Sequence, residues 1–103
     1  MMITLCIRYQ IDPRQHAAFE RYARAIAEPI RRSGADLVGY WLPTKFAGRT
    51  NEAMALIDFP DLAAYERYRA ALAQDPAASA AAAAADEARC ILVEHRSILQ
   101  RAA

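Results

Sequence analysis

Apolar and polar residues alternate near the start of the chain. Ile3, Leu5, Ile7 and Tyr9 are separated by Thr4, Cys6, Arg8 and Gln10. A period of two, rich in branched side chains, predicts a half-buried strand. The period then changes. Phe19, Tyr22, Ile26 and Ile30 recur at three and four residues and give one apolar helical face. Asp12-Pro13 opens that helix, because Asp12 can accept from free amides and Pro13 fits a first helical position. Pro29 is expected to kink or split it, and Gly34 to end it.

Two further strands are predicted at Leu37–Leu42 (LVGYWL) and Glu52–Phe59 (EAMALIDF), joined by the loop PTKFAGRTN. Asp61 is a cap for a second helix, in which Leu62, Tyr65, Arg69 and Leu72 share a face with Tyr68 beside it. Asp75-Pro76 repeats the capping pattern and opens an alanine-rich helical piece to about Glu87. Alanine is the strongest helix former, so the run Ala80–Ala85 reads as helix. Cys90–Leu99 (CILVEHRSIL) is the fourth strand.

The order strand, helix, strand, strand, helix, strand describes two βαβ halves of the split, ferredoxin-like kind. One stretch repeats: AAFERY at Ala17–Tyr22 returns as AAYERY at Ala63–Tyr68, early in each helix. Shared packing explains it, with alanines allowing close approach and the aromatics filling the sheet face. The expected fold class is α+β: a four-stranded antiparallel sheet of order 4-1-3-2 with helices on one face. The other face is bare. It carries Thr4, Cys6 and Arg8 from the first strand. From the third it takes either Met54 and Leu56 or Ala53, Ala55 and Ile57. Such a partly apolar face predicts association, and two of them packed together form a homodimer.

Composition narrows the functional classes. The 103 residues form one domain, 1–103, with formal net charge +1 and 24% charged residues. Near neutrality argues against nucleic acid and against a charged membrane surface. MMITLCIRYQ does not read as a signal peptide, and no stretch approaches the roughly 18 apolar residues of a membrane span. A cytoplasmic location is expected. Two distant cysteines, Cys6 and Cys90, read as free buried thiols. His16 and His95 have no partners at ligand spacing, so neither a metal site nor a resident cofactor is expected.

Tyr40–Pro76 resembles the NIPSNAP family of the dimeric α+β barrel superfamily. The residues that carry the resemblance are Pro43-Thr44-Lys45, Asn51, Leu56-Ile57-Asp58-Phe59-Pro60, Tyr65-Glu66-Arg67-Tyr68-Arg69, and Asp75-Pro76. Glu94, Arg96 and Ser97 in the last strand also fit. The resemblance implies a ferredoxin-like protomer and a homodimer. It implies no particular chemistry, because the family has no agreed activity.

The candidate ligand-binding residues are Lys45, Asn51, Trp41, Tyr65 and Tyr68. Lys45 is the only lysine in an arginine-using chain, and its point charge suits an anionic group. Asn51 closes the same loop, as a ligand hydrogen-bonder or as a turn residue. Tyr40 and Trp41 face opposite ways, while Tyr9, Tyr22, Tyr65 and Tyr68 are placed to line a space between helices and sheet that suits a flat ligand. Arg8, Glu94 and Arg96, if turned to the dimer interior, are expected to pair with one another. Three functions fit these residues. One is a protein that binds a small aromatic or anionic molecule between sheet and helices. Another is a cofactor-independent monooxygenase or isomerase with Asn51 and Lys45 holding an enolate-like oxyanion. The third is a non-catalytic interaction module.

Overall fold

The computed structural model describes residues 2–103. Strand β1 (Ile3–Ile11) leads through a 3-10 turn (Pro13–Gln15) into helix α1 (His16–Arg32). Strands β2 (Asp36–Trp41) and β3 (Glu52–Phe59) follow, then α2 (Leu62–Ala73), α3 (Pro76–Ala88) and β4 (Ile91–Gln100). All strand pairings are antiparallel, in the order β2-β3-β1-β4. The ferredoxin-like α+β fold is therefore present, with helices on one face.

The caps form as the sequence implies. Asp12 accepts from the Arg14 amide at 2.9 Å, Asp61 from the Ala64 amide at 2.8 Å, and Asp75 from the Ala77 amide at 2.9 Å. Asp75 also receives Arg32 at 3.0 Å, which ties the end of α1 to the start of α3. Gly34 takes a φ of +93° just past α1, a conformation that favours glycine. The helix does not split at Pro29. It runs on to Arg32, because the proline lies in the last turns and its ring is fully buried in the core. The one acceptor it orphans, the Ala25 carbonyl, belongs to an exposed residue that water can reach.

Ile3, Leu5, Ile7, Tyr9 and Ile11 of β1 and Ala53, Ala55, Ile57 and Phe59 of β3 form the helix-facing core layer. The open face of β3 thus carries Met54 and Leu56. The two similar hexapeptides each begin at the second residue of their helix. Ala18 and Ala64 are buried at equivalent places. Phe19 packs edge-on against Tyr9 at 5.0 Å, and Tyr65 edge-on against Phe59 at 5.4 Å. The echo is thus one packing solution used twice. Leu62 departs from expectation at 54% exposed. The face that α2 buries runs through Ala64, Tyr68 and Leu72, and Leu62 lies about 200° around the helix from Ala64.

Two irregularities in the sheet set its usable surfaces. First, β2 carries a bulge between Leu37 and Gly39, so Leu37 and Tyr40, three apart, both pack against the core. Second, β4 is an edge strand with no helix packed along it, and beyond Ile91 its residues are exposed. Both cysteines are buried free thiols. They lie far apart: Cys6 is paired with Ser97, whereas Cys90 adjoins Asp12 at the other end of β1.

Candidate functional site

On the helix side of the sheet, Ala53 and Ala55 sit in register with Tyr9 and Ile7 of β1. Their small side chains leave room that aromatic rings fill. Tyr9 stacks beside Tyr40 with ring centroids 6.0 Å apart, and their hydroxyls lie 3.1 Å apart in a hydrogen bond. Tyr22 of α1 meets Tyr40 edge-on at 6.4 Å. Glu94 is in register with Tyr9 and Arg96 with Ile7, so both charges of β4 face this side. They pair with each other, Arg96 donating to Glu94 at 3.1 Å. Arg8 takes no part in that pair. It lies in register with His95 and Met54 on the open face, because its parity along β1 is opposite to that of Tyr9.

These groups line a solvent-open cavity of about 320 Å³ between the sheet and all three helices. Tyr9, Tyr22, Tyr40 and Tyr68 supply its aromatic wall, and Ile7, Ile26, Ile30 and Leu72 its apolar part. Arg69, Ser79, Glu94 and Arg96 supply polar groups. Tyr68 is 3% exposed, yet its hydroxyl makes no hydrogen bond to the described residues and is not sealed from solvent. It therefore opens onto the cavity.

Burial keeps these phenols protonated. Tyr9 is pushed far above the ordinary tyrosine value, first by burial and then by Tyr40 beside it. Burial also raises Tyr40, with Tyr22 adding to it. Tyr22 is raised by burial and by the Glu94 carboxylate. Tyr68 is pushed up to about 12, burial outweighing the opposite pull of Arg96 and Arg69. For Arg96, burial works against the charge, but Glu94 more than offsets it and the net direction is up. The cavity thus offers neutral hydroxyl donors, one carboxylate and two guanidinium groups.

The opposite face of the sheet carries a broad groove of about 950 Å³. Trp41, Met54, Arg8 and His95 form one row across four strands, with Cys6 and Ser97 in the next. Trp41 therefore lies on the other side of the sheet from Tyr68. Gly39 makes this possible, since the Trp41 indole folds back to 3.2 Å from where a Cβ on residue 39 would stand.

Of the five candidate residues, only Tyr68 lines the cavity between sheet and helices. Tyr65 packs behind it, against Phe59 and Tyr68. Trp41 lines the open-face groove. Lys45 is exposed on the loop between β2 and β3, and Asn51 holds the loop end by accepting from the Ile11 amide at 2.8 Å through its backbone carbonyl. Neither lines this cavity or the open-face groove. His16 reaches that loop too, its Nε2 lying 3.3 Å from the Pro43 carbonyl oxygen. Tyr40 is the cavity residue that strand alternation passed over, because the bulge that turns it inward has no mark in the sequence beyond Gly39. Among the described residues no cluster of histidine, cysteine and carboxylate groups could hold a metal ion, and no helix is long and apolar enough to cross a membrane.

A four-stranded sheet with its helices on one face and an aromatic cavity beneath them places the chain among ferredoxin-like α+β proteins. It belongs to the NIPSNAP family, whose model matches residues 4–103. Among solved structures, it is 22% identical to an uncharacterized NIPSNAP-like domain protein from Burkholderia xenovorans. That match covers 97% of this chain and 84% of the other, with a TM-score of 0.79. A NIPSNAP family protein of unknown function from Agrobacterium tumefaciens is 21% identical over 97% of this chain and 87% of its own, with a TM-score of 0.82. SnoaB, a cofactor-independent oxygenase from Streptomyces nogalater, is more distant. It is 17% identical over 97% and 92% of the two chains, with a TM-score of 0.65. At these identities the likeness establishes the fold. No curated protein matches the chain.

Proposed function

We propose that this protein binds a small, flat molecule in the cavity between sheet and helices, and that it works as a homodimer closed through the open sheet face. The observation that carries the first part is the tyrosine-walled cavity of about 320 Å³, into which Tyr68 points a hydroxyl with no protein partner. A plain aromatic core has no such space and leaves no polar group without a partner. The second part rests on the row Trp41, Met54, Arg8 and His95 and on the exposed Leu99, which together make a partly apolar face on one side of a thin sheet. Tyr68 binds the ligand and Tyr65 supports it. Trp41 lines the open-face groove, where a ligand role requires the second copy, while Lys45 is exposed on the loop between β2 and β3 and Asn51 stands at its end.

Native mass spectrometry of freshly purified protein tests both parts. The expected result is a dimer that retains a small molecule, or takes one up from a panel of one- and two-ring aromatics, and that loses it in Tyr68→Ala. A monomer overturns the open-face reading. A dimer that takes up nothing from the panel overturns the ligand reading.

The neutral phenols favour a second, catalytic reading. Glu94 is the only carboxylate lining the cavity, and hydroxyls face it across the same space. In an isomerisation, Glu94 would take a proton from the carbon next to a ligand carbonyl. The phenols would hold the enolate oxygen, and the proton would return at a different carbon. That chemistry requires Glu94→Gln to abolish exchange of the ligand's acidic C–H with solvent while leaving binding intact.

A further inference from the structure

We infer that the ligand of this cavity is a monoanion, namely a one- or two-ring aromatic that carries a carboxylate beside a ring oxygen. The inference rests on the binding reading above and adds the chemical class.

The first observation is charge. Arg69 and Arg96 line the cavity and Glu94 is the only acidic residue that does, so two cations against one anion leave one positive charge uncompensated. Arg96 spends one guanidinium nitrogen on Glu94, and its planar fork keeps further donors. Arg69 makes no ion pair within the described residues, although other arginines of this chain find carboxylates. The second observation is position. Tyr68 and Arg69 of α2 and Arg96 of β4 line the same space, and both guanidinium charges act on the Tyr68 phenol. A carboxylate between them would receive charge-assisted hydrogen bonds from two directions and a third from a phenol. The third observation is the phenol pair. Tyr9 is in register with Glu94, the carboxylate that holds Arg96, and the Tyr9 and Tyr40 hydroxyls form a neutral pair with lone pairs and one proton to spare, which suits a ring hydroxyl or carbonyl.

Size sets the upper limit. A cavity of about 320 Å³ is at the small end for ligand sites. It admits one or two fused rings and excludes a large polycyclic skeleton. The strip from Ile7 to Leu72 supplies the apolar wall such rings need.

The test compares 1-hydroxy-2-naphthoate with 1-naphthol by titration calorimetry on the intact protein. They differ only in the carboxylate. The naphthoate is expected to bind at least about tenfold more tightly, the scale of a charge-assisted hydrogen bond to arginine. Arg69→Gln should remove most of that preference without weakening naphthol. Arg67→Gln is the control for general charge, since Arg67 is exposed on the same helix and lies outside the cavity lining; it should leave the preference in place. Equal affinities, or a preference that survives Arg69→Gln, or one lost equally in Arg67→Gln, overturn the monoanion assignment while leaving the site itself standing. Binding of neither compound overturns the site as well.

Discussion

Replacing Tyr9 with phenylalanine tests whether the phenol pair holds the cavity floor together. Tyr9 is 1% exposed and its hydroxyl has one protein partner, Tyr40, at 3.1 Å. The ring and its edge-on contact with Phe19 at 5.0 Å survive the change, so the packing contribution stays. What is lost is one neutral hydrogen bond, worth about 0.5–1.5 kcal/mol net. Tyr40 is left without its partner, but it borders the cavity, and water there can take part of the load. Tyr9→Phe and Tyr40→Phe should therefore each cost about 1 kcal/mol. The double variant removes both partners together and leaves no orphaned hydroxyl. It should cost less than the sum, with a coupling of about 1 kcal/mol. In a domain of this size, about 1 kcal/mol moves Tm by about 4–8 °C. The assay is urea and thermal unfolding of all four proteins at one fixed concentration, which keeps any association constant across the set. Additive losses would refute the claim that the two hydroxyls act as a pair. A single-variant loss above about 3 kcal/mol would show that the floor is sealed from water and that the cavity is not open there.

Two other expectations rest on the same geometry. Burial raises the phenols of Tyr9, Tyr22, Tyr40 and Tyr68, so at about pH 11 the native protein should show much less tyrosinate absorbance than the urea-unfolded chain, with Tyr68 titrating only near 12. Because the folded values lie above the unfolded one, this contribution to stability is whole below about pH 10. It falls away as pH rises toward 12, and alkaline unfolding curves should show that direction. Gly39→Ala would bring a methyl to 3.2 Å from the Trp41 ring, forcing a shift of a few tenths of an ångström. The expected readout is a changed emission maximum of this single tryptophan with a stability change within about 1 kcal/mol, and an unchanged spectrum would show that the indole does not rest on Gly39.

How much of the site was legible beforehand depends on which force selects each residue. Period-two and period-3.6 patterns report only the partition of side chains between core and water, and those patterns marked the strands and the first two helices, while the Asp75-Pro76 cap and alanine propensity marked the third. The aspartate caps were equally legible, because a cap acts within three residues of itself. The paired hexapeptides marked aromatics that fill the sheet face, and the structure seats them against Tyr9 and Phe59. Lys45 and Asn51 stood out by composition and local motif, which carry no information on which side of a sheet a loop leaves.

The rest required the assembled sheet. Alternation along β4 says that Glu94 and Arg96 share a face, but not which face. The antiparallel register against β1 decides it, by setting Glu94 opposite Tyr9 and Arg96 opposite Ile7. The bulge at Gly39 brings Tyr40 inward, one residue from where strict alternation keeps it. The chain alone determined its elements, its caps and its two-faced sheet, since these depend on the hydrophobicity and backbone preferences of near neighbours. The cavity was decided by tertiary structure, since its walls come from six elements far apart in sequence, and only strand register and helix docking fix the space between them.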